Sequence, residues 1–278
     1  MTDQVKLVEN AAQQMRTYAL EMTFNAGRSG AHVGPAMSCM EILAALYCGV
    51  LKFDVKNPAW EERDRLMISK GHCVLAYYTA LVVAGFIKPE ELATFEKNGT
   101  DLAGHPSMDL NRGIEYSSGS LGMAFSASVG MAISAKRAGR SHKVYTLLGD
   151  GECNEGCVWE SFMAAAHYKL DNLVAIIDKN GLQLDGATKD VMDLGDMEKK
   201  LTAFGWEVSN IDGHSVSALL TAFFKIIRGK PHAIIANTIK GKGVSFMENN
   251  PEWHHGTLSQ AQYETAIAEI TGGVPCKS

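Results

Sequence analysis

Two short polar clusters carry the residue types suited to metal and phosphate chemistry: Gly149-Asp150-Gly151 and, further along, Asp178-Lys179-Asn180. Each follows an apolar run, residues 144–148 and 173–177. Asp150 offers an anionic oxygen, Asn180 a neutral amide oxygen, and a nearby backbone carbonyl can add a third. Mg²⁺ favours such hard oxygen donors, with phosphate oxygens and water completing its octahedron. The glycines let backbone approach a phosphate closely, and a following helix would present its N-terminus. Gly-Asp-Gly alone is also an ordinary turn after a strand. The weight therefore rests on the spacing of the two clusters.

Hydrophobic spacing indicates the elements that must position them. Across residues 4–25, Val5, Val8, Ala12, Met15, Ala19 and Met22 fall near one helical face. Gly27 and Gly30 break this helix into a loop holding Arg28 and His32, and a second helical stretch follows at 40–47. Residues 66–69 read as a strand ending at Lys70-Gly71-His72, and 73–84 as a helix. Pro89-Glu90-Glu91 starts another helix, with proline where its missing N–H costs nothing. Residues 100–119 form a polar, irregular loop of the length that is usually functional. Small residues over 121–138 predict a buried, closely packed helix.

The apolar runs 144–148 and 173–177 flank a helical segment at 158–168, which makes a βαβ unit and favours a parallel sheet. Two further strands, 206–211 and 233–239, flank a helix over 216–227, and a last helix covers 259–271. The expected fold is one doubly wound α/β domain over residues 1–278, a mostly parallel sheet with helices on both faces. Ligands of such sheets bind beyond the carboxyl ends of the strands, where both polar clusters stand.

Composition narrows the function. The chain has 278 residues, 46% hydrophobic and 21% charged, an ordinary globular balance. A net charge of −5 leaves no basic excess to attract nucleic acid or a membrane surface. No signal peptide and no spanning run of about 18 apolar residues is seen, and the six cysteines form no Cys-x-x-Cys pair. A cytoplasmic protein with reduced thiols is expected. Cys153 and Cys157 lack companion metal ligands. The methionines are expected to fill the core. His142, His167, His214 and His232 are expected to be structural or surface residues, while Lys240 and Lys242 fit either a solvated loop or, for Lys240, a phosphate contact.

The two polar clusters resemble the thiamine diphosphate signature that opens with Gly-Asp-Gly and closes on Asn. Further motifs resemble the N-terminal half of transketolase over nearly the whole chain. They are Ser69-Lys70-Gly71-His72, Gly104-His105-Pro106, Gly119-Ser120-Leu121-Gly122, Gly149-Asp150-Gly151-Glu152 with Glu155-Gly156, and Thr238-Ile239-Lys240-Gly241-Lys242-Gly243. The resemblance implies Asp150, Asn180 and the Leu182 carbonyl as ligands of Mg²⁺, or of Ca²⁺ or Mn²⁺. It places His72, Gly149, Asp150, Gly151, Glu152, Asn180, Lys240 and His255 at or beside the diphosphate, and Gly119 and Leu121 against the cofactor rings. His32, His72, His105 and His255 would line the substrate channel as catalytic residues, and Glu155 and Glu160 would link paired sites across a subunit interface. The implied activity is transfer of a two-carbon ketol unit from a ketose phosphate to an aldose. Thiamine diphosphate supplies the electron sink, and the protein supplies position and proton transfer. An imidazole pKa of about 6.5 suits the proton steps.

The family's pyrimidine-binding and C-terminal domains do not appear before Ser278. The expectation is a partner chain that carries them, in an α2β2 assembly. A non-catalytic scaffold or regulatory paralogue is the alternative, as is a related ketol transfer or a deoxyxylulose-phosphate-synthase-like reaction. One departure is local: Ser29-Gly30-Ala31-His32-Val33-Gly34 stands where the family commonly has Ser-Gly-His-x-Gly, so Ala31 displaces His32 from the serine. Of the adjacent His254 and His255, the following Gly256 favours His255.

Overall fold

The structure, a computed structural model, describes residues 2–272. Its strands are β1 (Arg65–Ile68), β2 (Val144–Gly149), β3 (Leu173–Lys179), β4 (Glu207–Asp212) and β5 (His232–Asn237). They form one sheet in the order β1-β2-β3-β5-β4, and every neighbouring pair is parallel. All five carboxyl ends therefore lie along one edge. The α-helices are α1 (Thr2–Asn25), α2 (Val33–Met37), α3 (Met40–Ala45), α4 (Val74–Ala84), α5 (Met123–Arg137), α6 (Gly156–His167), α7 (Thr188–Met192), α8 (Met197–Ala203), α9 (Val216–Phe223) and α10 (Gln260–Thr271).

Strand alternation feeds two separate cores. Leu66, Ile68, Leu147, Ile176 and Ile234 point to one face and pack with α1, α2, α3, α4 and α9. Met67, Leu148, Ile177 and Ile235 point to the other and pack with α5, α6 and α8. This is the expected doubly wound arrangement. On α1, Val8, Ala12, Met15, Ala19 and Met22 are buried, as their spacing predicts. Arg16 shares that buried face, so its charge needs a partner. It reaches Glu41 of α3 at 2.6 Å, and Glu41 also accepts from His214 at 3.1 Å.

Several expectations change in detail. The segment at 40–47 divides into α3 and a π-helical turn at Leu46–Val50, with the short α2 just before it, and Pro89–Thr94 is only a 3-10 stretch. α9 stops at Phe223 instead of continuing to 227, because Phe224 and Ile226 meet no core and stand 60% and 84% exposed. α5 is buried on one face only: Phe125, Ser128, Val129 and Ala132 pack inward, while Met123 is exposed and a Cβ on Gly130 would meet open space. The methionines divide likewise, with Met15, Met37 and Met40 in the core and Met108, Met123, Met163 and Met192 exposed. The five described cysteines are free thiols, and Cys276 lies outside the described residues. Among the described residues, no helix is long and apolar enough to cross a membrane.

Candidate active site

A cavity of about 370 Å³ opens over the carboxyl ends of β1, β2, β3 and β5. Each strand delivers a polar residue there because its hydrogen-bonded run ends and the chain must turn. β1 gives Lys70 and His72, β2 gives Gly149-Asp150-Gly151, β3 leads to Asn180 and Leu182, and β5 leads to Lys240. The α1–α2 loop adds His32, and the long loop before α5 adds His105, Gly119 and Leu121.

Beneath the cavity lies Asp178, fully buried at the end of β3. Its carboxylate accepts from Lys70 Nζ and Thr238 Oγ1, from Ser38 Oγ at 2.6 Å and from Asn180 Nδ2 at 3.3 Å. Burial opposes its ionisation, but Lys70 and the hydroxyl donors outweigh this and hold it below the usual carboxylate range. A buried ion pair needs such extra bonds to offset lost hydration. The Asn180 bond also orients its amide, leaving Oδ1 to accept from Leu182 N at 3.1 Å.

Asp150 is in a different state. It accepts from Gly181 N at 2.7 Å and Gly151 N at 2.9 Å, yet burial and then the neighbouring Asp178 push its carboxyl up to about 6. A carboxylate raised in this way gains from a nearby cation. Asp150, Asn180 and Leu182 all line the cavity, and a carboxylate, an amide oxygen and a backbone carbonyl are donors of the hard kind that Mg²⁺ favours. Among the described residues no three His, Cys, Asp or Glu side chains are placed to hold a metal ion by themselves, so a cation here would take phosphate or water oxygens as further ligands. At Gly151 a Cβ would come within 2.6 Å of Gln183 Cγ, so a larger residue would have to displace the Gln183 side chain from the cavity wall.

Lys240 is 1% exposed, and its ammonium lies at the cavity wall. It donates to His254 Nδ1 at 2.8 Å and reaches the carbonyls of Leu182 and Gln183 at 3.4 Å. Burial, then Lys70, lowers it from 10.5 to about 8. This placement removes the solvated-loop reading of Lys240. Lys242 instead pairs with Glu248 at 3.2 Å.

The histidines form one cluster around His32. Ring centroids of His72, His105, His254 and His255 lie 5.8, 5.5, 5.5 and 4.6 Å from its own. Ala31, the residue that departs from the family pattern, makes a two-bond bridge to Gly256 at 2.9 and 3.0 Å, which seats His32 beside His255. Gly30, at φ +66°, is needed for this, since a Cβ would stand 2.8 Å from the Gly256 oxygen. Burial, then His255 and His105, lowers His32 to about 4. Burial, then Lys240, lowers His254 to about 3, and burial, then Lys70, takes His72 well below its ordinary value. These three imidazoles are neutral at pH 7 and can accept hydrogen bonds, but burial makes them weaker bases than the ordinary imidazole expected for proton transfer.

The structure thus gathers His32, His72, His105, Gly119, Leu121, Gly149, Asp150, Gly151, Glu152, Asn180, Leu182 and Lys240 at one cavity. His255 stands just outside its lining, against His32, and His254 takes the lining position next to Lys240. Glu155 is at the cavity mouth, and Glu160 is exposed one turn further along α6. Sequence reasoning gave no role to Asp178, Lys70, His254 or Gln183. The first two stood inside quoted motifs, and His254 beside a chosen histidine; Gln183 carried no signal. His142 and His232 are buried, and His232 bonds Ser209 at 2.9 Å, as structural residues do.

A wholly parallel doubly wound sheet with this cradle at its carboxyl edge defines an α/β cofactor-binding domain. The sequence model described as transketolase, thiamine diphosphate binding domain, matches residues 8–274, and the chain belongs to that family. It is 42% identical over 270 residues to an apulose-4-phosphate transketolase subunit from Phocaeicola vulgatus, covering 96% of this chain and 95% of that one. It is 41% identical over 273 residues to 6-deoxy-6-sulfo-D-fructose transketolase subunit SqwG of a Clostridium species, covering 97% and 98%. Human transketolase is 39% identical over 280 residues, with 99% of this chain but 44% of the human one covered. The crystal structure of Campylobacter jejuni transketolase superposes with a TM-score of 0.90 at 29% identity, over 99% of this chain and 44% of that one.

Proposed function

We propose that this chain is the diphosphate- and metal-binding subunit of a two-chain transketolase, active with a second subunit that carries the pyrimidine-binding and C-terminal domains. It works in an α2β2 assembly in the cytoplasm, on sugar phosphates. The observation that carries this proposal is the convergence of Asp150, Asn180, Leu182 and Lys240 with the His32 cluster at one cavity. The match along 95% and 98% of two transketolase subunits supports the two-chain form.

In this reading Asp150, Asn180 Oδ1 and the Leu182 carbonyl hold Mg²⁺, with Ca²⁺ or Mn²⁺ as substitutes. Backbone at Gly149 and Gly151, and the Lys240 ammonium, receive the diphosphate, while Gly119 and Leu121 form the wall against the rings. Thiamine diphosphate, when bound, supplies the electron sink for cleavage of the bond next to the ketose carbonyl. His32 and His72, kept neutral by burial, accept hydrogen bonds from substrate hydroxyls. His105 and His255 contribute further imidazoles at the mouth, and Glu155 and Glu160 face a second subunit.

Isothermal titration of thiamine diphosphate with Mg²⁺ into this chain, alone and with its partner subunit, tests the reading. Binding in the mixture together with two-carbon transfer from a ketose to an aldehyde is the expected result. Binding without transfer would make the chain a scaffold, and no binding in either case would remove the cofactor role.

A further inference from the structure

Glu152 follows the Gly-Asp-Gly turn and is 2% exposed. Unlike Asp150, its carboxylate is taken up within the protein. Oε1 accepts from Ser69 Oγ and from Gly122 N at 2.7 Å, and Oε2 accepts from Gly149 N at 3.0 Å. These donors belong to three different segments: the turn after β1, the glycine turn before α5, and the end of β2. The first leads to Lys70 and His72, the second carries Gly119 and Leu121, and the third opens the phosphate cradle. Gly122 sits at φ +80° with the start of α6 packed against it. A Cβ there would stand 2.5 Å from Cys157 Sγ, so the turn is held from the far side as well.

We infer that Glu152 is a positioning residue that fixes the spacing of the two cofactor-facing walls of the cavity without itself binding the ligand. Its three bonds tie the ring-facing turn at Gly119–Gly122 and the His72 loop to the strand that carries Asp150. A neutral amide at the same place cannot replace it, because the NH₂ end would face one of the three donors and leave it unpaired. The inference rests on the reading of this cavity as the cofactor site.

The test is cofactor affinity in the assembled two-subunit protein for the wild type, Glu152→Gln and Ser69→Ala, with thiamine diphosphate and Mg²⁺ as the ligand. Glu152→Gln should weaken apparent cofactor affinity about 10- to 100-fold, the range found when partners that orient metal ligands are removed. At saturating cofactor the loss of turnover should be smaller than the loss of affinity. Ser69→Ala removes one of the three bonds and should cost about three- to tenfold in affinity. A folded Glu152→Gln with wild-type affinity, or one whose loss falls on turnover and not on affinity, would overturn the inference. If Glu152→Gln does not fold, wild-type affinity in Ser69→Ala would overturn it equally. Absence of cofactor binding by the wild type would instead defeat the reading of the site.

Discussion

Replacing Lys240 by methionine separates what the site does for a ligand from what it costs the protein. Lys240 is 1% exposed, and among the described residues its ammonium bonds, besides His254, only two carbonyls at 3.4 Å. The fall from 10.5 to about 8 corresponds to about 3 kcal/mol between the charged and neutral forms. The folded value lies below the unfolded one. The cost of holding the charge is therefore fully present below pH 8 and is relieved as pH rises from 8 to 10.5. Lys240→Met keeps the apolar stem and removes the charge. Losing the bond to His254 returns about 1 kcal/mol, so the ligand-free variant should gain about 2 kcal/mol at pH 7. For a domain of this size, that raises the melting temperature by roughly 4–8 °C. Loss of a charge-assisted diphosphate contact should weaken cofactor binding about 10- to 100-fold. Thermal melting with and without thiamine diphosphate and Mg²⁺, together with titration calorimetry, measures both effects. A variant that melts lower without ligand and binds the cofactor as tightly as wild type would refute the reasoning.

Two further predictions concern the same cavity. Asp150 titrates at about 6 in the ligand-free protein, above its ordinary 3.8, so protons compete with the cation below pH 6. Cofactor–metal affinity should fall roughly tenfold for each pH unit below that point, with proton release visible in buffers of different ionisation enthalpy; constant affinity down to pH 5 would place the cation elsewhere. His105 is exposed and takes no part in the core. His105→Ala should therefore keep stability within about 0.5 kcal/mol of wild type while transfer falls about 100-fold, and an unfolded variant would show a structural role instead.

Much of this protein was legible from local pattern. The face of α1, the β2–α6–β3 unit and the final helix followed from periodicities that act within a few residues. Asp150 and Asn180 could be singled out because both stand where apolar strands end. Extent was less legible: α9 lost its last turn once no core remained beyond Phe223, a fact about neighbours that periodicity does not contain. α5 looked buried all round because small residues suit close packing, yet among the described residues only one of its faces is buried.

Residue types and their spacing, by themselves, determined the fold class and the kind of oxygen donors offered to a cation. Tertiary structure alone decided the state of each group. Asp178 is held ionised because Ser38, 140 positions away, and Lys70, 108 positions away, converge on it. Asp150, close by and of the same type, is pushed the other way. His254 instead of His255 meets Lys240, because the Ala31–Gly256 bridge turns the second ring toward His32. Burial and hydrogen-bond partners come from contacts distant in sequence, and in a low-dielectric interior these set the charge of a side chain that its identity leaves open.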